Sequence, residues 1–242
     1  RPDIVIGADG RMKSLARKYV NGSNSPVYQG FINWVGVIEH ESIHFSELSV
    51  SDYWGVGERF GIVPVSQTKA YWAGGAVSKN INEIDPNQYK IELNSIFSGW
   101  PDIITQIINE TPQSSINKIY VHDHDPINLW HKDNLVLLGD AAHSPLPTSG
   151  QGACQALEDA WHLTQCLKEN VGNIDNAFKV FSELRKSKTA GITMGGRHLA
   201  SSIFNQDSEF CKQRNIASKN TNYKNAVIGM AKGWSSGLPI ST

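Results

Sequence analysis

Asn-Leu-Val-Leu-Leu (residues 134–138), running straight into Gly139-Asp140-Ala141-Ala142-His143, is the stretch whose reading decides the fold. Its first half is a short continuous apolar run, the pattern of a strand buried on both faces. A loop containing Pro145, Pro147 and Gly150 follows. A helix is then expected from Gln151-Gly152, with Ala153, Ala156, Leu157, Ala160, Leu163 and Leu167 recurring on one face. Asp140 would stand at the carboxyl end of a buried strand, where open α/β sheets place their ligands. The turn Gly150-Gln151-Gly152-Ala153 would present free backbone N–H groups and the positive end of a helix dipole, which suit an anion. A strand–loop–helix packing unit is the plainer reading. The concurrence of the Asp, the prolines and the Gly-Gln-Gly favours a cofactor site.

A second motif stands on equivalent ground. Asp3-Ile4-Val5-Ile6 reads as another buried strand, closed by Gly7-Ala8-Asp9-Gly10 and followed by a basic helical segment over 11–19 that contains Ser14 and Arg17. A domain rarely opens on a central strand, so this chain, which begins at Arg1, is expected to be the carboxyl-terminal part of a longer protein. Between the motifs the texture changes. Segments 31–38, 53–65 and 70–77 are rich in aromatic and β-branched residues divided by Gly and Ser, which predicts three to five antiparallel strands.

Asp85-Pro86 then predicts a helix start, with Pro at the first helical position and Gly99 beyond the end. A second short helix holds Ile103, Ile104, Ile107 and Ile108 and stops at Thr111-Pro112, and 116–124 alternates as a strand. Beyond the central helix, Asp175 is expected to cap a long helix over 176–204, kinked or broken at Gly191, Gly195 and Gly196. The weakly patterned tail over 220–242 is expected to be partly disordered.

Composition narrows the function classes. With 22 basic and 23 acidic residues the formal net charge is −1, which gives no field for nucleic acid or a membrane surface. Three cysteines (Cys154, Cys166, Cys211), with no CxxC spacing, argue for a reducing compartment and against a disulfide framework or zinc. There is no signal-peptide pattern and no long apolar run. His122 and His124 flank Asp123, but a third ligand at a familiar spacing is missing, so no metal is expected.

The two motifs, in this order and flanking an antiparallel insertion, make the chain resemble the single-component FAD-dependent aromatic hydroxylases, the para-hydroxybenzoate hydroxylase-like monooxygenases. Gly7-Ala8-Asp9-Gly10-x-x-x-Ser14-x-x-Arg17 looks like their second FAD fingerprint. Gly139-Asp140, extended through Pro147, Gly150-Gln151-Gly152 and Glu158-Asp159-Ala160, looks like their ribose-binding fingerprint. The resemblance runs from Asp3 to about residue 190 and takes in the Gly99-Trp100 turn and the basic stretch over 184–189. Within the family the texture is that of the urate hydroxylases and related heteroaromatic hydroxylases, which share Asn33-Trp34, Arg59 and Tyr71. Those urate enzymes carry an acid where this chain has Thr148, so a ring other than urate is expected.

The resemblance implies an α/β (α+β mixed) fold: a partial Rossmann-like FAD-binding domain, an inserted antiparallel-sheet substrate domain, and carboxyl-terminal helices. The expected boundaries are 1–20 and 116–170 for the FAD-binding parts, 21–115 for the substrate domain, and 171–242 for the helical region. Members of the family open with a Gly-x-Gly-x-x-Gly unit that this chain lacks, so it would correspond to roughly the carboxyl-terminal two-thirds of one. The implied activity is hydroxylation of a small aromatic or heteroaromatic substrate through a flavin C4a-hydroperoxide, with FAD as cofactor, NADH or NADPH as co-substrate and molecular oxygen as oxidant. A cytoplasmic enzyme is implied, and a homodimer is allowed.

By the same resemblance, Asp140 would accept a hydrogen bond from ribityl or ribose hydroxyls, in a loop shaped by Gly139 and Gly150. The N–H groups around Gln151, Gly152 and Ala153 would face flavin N1 and O2, and Asp9 and Arg17 would lie near the pyrophosphate. Arg59 and Tyr71 would form the substrate pair, a cation and an aromatic face. The flavin supplies the chemistry, and no catalytic side chain is assigned. The alternatives left open are a same-family epoxidase, a drug-inactivating hydroxylase, and an inert fragment or binding module. Arg59 could also be a solvated strand residue and Tyr71 a core residue; His143 invites an acid/base role but is read as a loop anchor.

Overall fold

The structure is a computed structural model that describes residues 2–45, 47, 49–82 and 85–239. In chain order the first elements are β1 (Val5–Gly7), α1 (Leu15–Asn21), β2 (Val27–Glu39), β3 (Ser51–Trp54), β4 (Glu58–Pro64) and β5 (Lys69–Val77). Then come α2 (Tyr89–Ile96), α3 (Asp102–Glu110), β6 (Asn117–Asp123), β7 (His131–Lys132) and β8 (Leu135–Leu137). Four helices close the chain: α4 (Gly152–Glu169), α5 (Ile174–Ile203), α6 (Ser208–Lys219) and α7 (Tyr223–Ser235). They form two compact units, one of residues 1–25, 124–197 and 207–242, the other of 26–123 and 198–206.

In the first unit the two motifs meet. β1 pairs in parallel with β8, Val5 opposite Leu135 and Gly7 opposite Leu137, and β7 completes the sheet antiparallel to β8. α1 lies so close to β1 that a Cβ on Gly7 would stand 2.4 Å from the Ala16 Cβ, which is why the motif opens on glycine. Val136, Leu137, Trp130, Phe178 and Phe181 form the core of this unit. Ile6, expected to be buried, is exposed, because it points to the sheet face opposite Gly7, away from α1.

In the second unit five antiparallel strands run in the order β3-β4-β5-β2-β6. One face packs on α2 and α3 through Trp34, Ile38, Phe60, Trp72, Leu93, Phe97 and Ile104. Large rings need small neighbours: Gly74 passes under Phe97 and Gly36 under Trp72, where added Cβ atoms would come within 2.9 and 2.7 Å. The expected capped helix is present, with Asp85 Oδ1 accepting from Asn87 N ahead of α2.

The fold is mixed α/β as expected, with several local corrections. β6, placed in the cofactor part from residue 116, instead pairs with β2 in the sheet unit, because its alternation needs a partner face. α5 runs 30 residues through Gly191, Gly195 and Gly196 without a break. It begins at Ile174, so Asp175 lies in its first turn, and Asn173 Oδ1 accepts from Asn176 N. The tail over 220–242, expected to be partly disordered, carries α7, capped by Asn222, and α6 ahead of it is capped by Asp207. No disulfide links the three cysteines, and no helix of the described residues is long and apolar enough to cross a membrane.

Candidate cofactor site

The loop after β8 is built to present an acid. Gly139–Ala141 forms a 3-10 turn that starts from Gly139 at φ +60°, a conformation costly for residues with a Cβ, and a Cβ there would also press on Ala156 at 3.1 Å. Asp140 is left exposed, and its carboxylate has no hydrogen bond or ion pair among the described residues. A Cβ on Gly152 would lie 3.9 Å from Asp140 Oδ1, so the acid stands beside the amino end of α4.

That helix end is open as well. Pro147–Ser149 makes a second 3-10 turn, closed by Gly150 at φ +63°. Gln151 occupies the cap position but makes no capping hydrogen bond, and the first helical bond is Gln155 N to Gln151 O at 2.9 Å. The N–H groups of Gly152, Ala153 and Cys154 therefore have no helical acceptor, and an 18-residue helix places its positive dipole end there. An open carboxylate and a set of open donors adjoin. Such a pair suits a ligand with hydroxyls to donate and an electron-rich atom to be held.

Beneath the loop lies a buried ion network that the sequence reading missed. Asp159 is fully enclosed; its Oδ2 accepts from Gly139 N at 2.9 Å and lies 2.6 Å from His143 Nε2. Arg185 Nε, from α5, donates to its Oδ1 at 2.7 Å. The same guanidinium reaches Glu158 and, at 2.7 Å, Gln155 Oε1, and Lys188 Nζ joins Glu158 at 2.8 Å. Burial pushes the Asp159 carboxyl up, but the bond and charge of His143 and the charge of Arg185 outweigh it and hold its pKa below the ordinary value. Trp130 stacks on His143 at 5.4 Å and walls the loop from the other side.

This network corrects the expected apolar face of α4. Ala153, Leu157 and Ala160 are exposed, whereas Gln155, Glu158, Asp159 and His162 are buried beside Leu163 and Cys166. A polar stripe at positions 155, 158, 159 and 162 has helical spacing, and a basic segment follows at 185–188. Together they were the available signal.

The first motif serves the same loop. Asp9 Oδ1 accepts from Ser14 Oγ at 2.5 Å, and Oδ2 accepts from the N–H groups of Leu15 and Ala16 at 2.7 and 3.1 Å. Burial pushes its pKa up; these hydrogen bonds prevail and hold it below the ordinary value. Ser14 Oγ in turn accepts from Arg17 N. Arg17 is buried. Its Nη1 donates to Ala141 O and Ala142 O at 3.0 Å each and its Nη2 to Asp125 O, so it fixes the loop that carries Asp140. Thr148 Oγ1 donates to Gly196 O at 3.0 Å.

In the sheet unit, β4 pairs with β5 so that Val63 stands opposite Tyr71 and Arg59 opposite Gly75. With a two-residue period Arg59 and Tyr71 share the face turned away from α2 and α3. Arg59 Nε donates to Asp52 Oδ1 at 2.7 Å, so the cation already has a partner. Burial raises the Tyr71 phenol above its ordinary pKa against the pull of Arg59. His122 Nδ1 lies 2.7 Å from Tyr120 O and His124 Nε2 2.8 Å from Arg11 O, which are structural contacts.

Comparison with known proteins is consistent with this geometry. A family model for the FAD binding domain matches residues 1–173. An aurachin C monooxygenase/isomerase of Stigmatella aurantiaca is 41% identical over 166 residues, covering 68% of this chain and 42% of that protein. An FAD-dependent urate hydroxylase of Mycolicibacterium vanbaalenii is 29% identical over 196 residues, 81% of this chain and 49% of its own length. The chain thus spans less than half the length of either relative. Among solved structures, Klebsiella pneumoniae HpxO complexed with FAD and uric acid superimposes with a TM-score of 0.89 at 24% identity, over 97% of this chain and 60% of that one.

Proposed function

The chain belongs to the FAD binding domain family, and from that premise we propose that it is the carboxyl-terminal portion of a flavoprotein monooxygenase acting on a small aromatic or heteroaromatic ring. The observation that carries the reading is the open Asp140 carboxylate beside the open amino end of α4. These residues fit FAD: Asp140 offers an acceptor to the hydroxyls of its sugar or ribityl portion. The N–H groups of Gly152 and Ala153 offer donors to the ring edge, where negative charge collects on reduction. When bound, FAD supplies the redox chemistry, with NADH or NADPH as reductant and molecular oxygen as oxidant.

The protein's part is to hold and to bias. A helix amino end stabilises an adjacent anion by about 0.3–2 kcal/mol, enough to shift a reduction equilibrium. Asp159, Arg185 and Arg17 hold the loop from below, so that Asp140 and the α4 donors need not reorganise on binding. On the sheet, Arg59 and Tyr71 supply a planar cation and an aromatic face for an anionic ring. The uric acid in the HpxO complex supports a heteroaromatic as the class. Thr148, with its hydroxyl turned to the Gly196 carbonyl, supports a ring other than urate.

The test is Asp140→Ala in the intact holoprotein. Loss of one charge-assisted acceptor, about 1.5–3 kcal/mol, should weaken FAD by roughly one to two orders of magnitude in equilibrium dialysis of the deflavinated protein. The unfolding midpoint of the apoprotein should not change, because the side chain is exposed and unbonded. A variant that purifies fully loaded, with wild-type affinity, refutes the assignment.

A further inference from the structure

We propose that the cleft at the free end of the β3–β4 hairpin is a binding site for an organic cation, an alkylammonium or quaternary ammonium group. The cleft, about 480 Å³, is lined by Tyr53, Trp54, Val56, Glu58, Trp100 and Pro101, with Gly55 and Gly99 at its turns. It lies wholly in the sheet unit and is independent of the flavin assignment.

Its construction is specific. The hairpin turns at Gly57, φ +81°, and closes with Gly55 N donating to Glu58 O at 2.8 Å. Gly99, φ +77°, returns the chain after α2 and delivers Trp100, which stands edge-on to the buried Phe97 with ring centroids 5.1 Å apart. A Cβ on Gly55 would lie 2.7 Å from Trp100 Cζ2 and 3.5 Å from Glu58 Oε2, so indole and carboxylate converge on one point. Tyr53 pairs with Phe60 across the hairpin and shares the face of Glu58.

The chemistry of the lining selects the ligand. The Glu58 carboxylate has no hydrogen bond or ion pair among the described residues, and no Lys, Arg or His lines the cleft. Its neighbour Arg59 points to the other face and is paired with Asp52. Glu58 is part-buried, and burial pushes its carboxyl above the ordinary pKa. An anion is repelled there and a neutral ligand leaves the charge unmatched. A cation on an aromatic face next to a carboxylate satisfies both groups. A multivalent metal ion would need several oxygen ligands, and the cleft offers one carboxylate.

The experiment is a 1H–15N NMR titration of the full chain with choline, following the Trp side-chain N–H resonances, that of Trp100 being identified from Trp100→Phe. Choline should shift the Trp100 resonance saturably, with a Kd on the order of 1 mM. The uncharged isostere 3,3-dimethylbutan-1-ol, and choline added to Glu58→Gln, should each bind at least about tenfold more weakly. A peptide bearing trimethyllysine distinguishes the sources: binding tighter than choline identifies a protein side chain as ligand, and binding equal or weaker a free amine. Absence of a saturable shift at Trp100, equal binding of the isostere, or unchanged binding by folded Glu58→Gln overturns the proposal.

Discussion

Arg185 Nε donates to Asp159 Oδ1 at 2.7 Å with both side chains enclosed, 1% and 0% exposed. The other oxygen of that carboxylate takes the Gly139 N–H and faces His143 Nε2. A single acid therefore ties α5 to α4 with one oxygen and holds the Asp140 loop with the other.

Arg185→Met should be among the most damaging single changes in the first unit. It removes the main cation from two buried carboxylates, and breaking a buried pair from one side costs about 3–5 kcal/mol. Urea denaturation at neutral pH measures the loss. Lys186→Met is the control: its pair with Glu183 is solvated, and a change above about 1 kcal/mol there would contradict the contrast.

Acid should unfold the protein partly through Asp159. Its folded pKa is below the ordinary value, so its contribution is present above the unfolded pKa of about 3.9 and is lost as pH falls through the lower, folded value. Asp159→Asn should be less stable at neutral pH yet lose less stability than wild type on acidification below about pH 4. Asp9, also depressed, keeps some slope in the variant. Parallel acid limbs in the two proteins would show that Asp159 is not responsible.

Gly7→Ala should destabilise by about 1–3 kcal/mol through overpacking, since the new methyl would stand 2.4 Å from the Ala16 Cβ. Adding Ala16→Gly removes the clash at a helix cost of about 1 kcal/mol. A double-mutant cycle should therefore show a favourable coupling between the two sites. Strict additivity would mean that α1 moves away freely.

On the function proposed above, Arg59→Lys should raise the Michaelis constant of the intact protein for an anionic aromatic, leave its FAD content unchanged and increase NAD(P)H consumed per product formed. Asp52→Asn should act in the opposite direction on the Michaelis constant, because it releases Arg59 from the 2.7 Å ion pair. Steady-state assays that count product against NAD(P)H decide it. Unchanged values in both variants would leave Arg59 as a strand residue that serves only Asp52.

Much of the plan was legible locally. The strand at Leu135–Leu137, the loop acid Asp140 and the start of α4 at Gly152 follow from an apolar run, turn glycines and a period of 3.6, all of which act over a few residues. Asp85 ahead of Pro86 is a cap that any reader of the sequence can find. Local signals failed where packing outvotes them. Gly191, Gly195 and Gly196 weaken a helix on propensity, yet α5 is anchored on both sides of them by Phe181, Arg185, Ala200 and Ile203, and it runs through.

The sequence by itself determined the two strand-and-turn motifs, the order of the elements and the cofactor family they resemble, because each is written in neighbouring residues. Only the tertiary structure decided which side of α4 is inside. An apolar stripe through Ala153, Leu157 and Ala160 promised one face; the face that is buried carries Glu158 and Asp159. Burying those carboxylates is tolerable only with a cation beside them, and Arg185 arrives from 26 residues further along the chain. A charge that distant has no period to reveal it, so the ion network beneath the Asp140 loop becomes visible only when α5 is laid against α4.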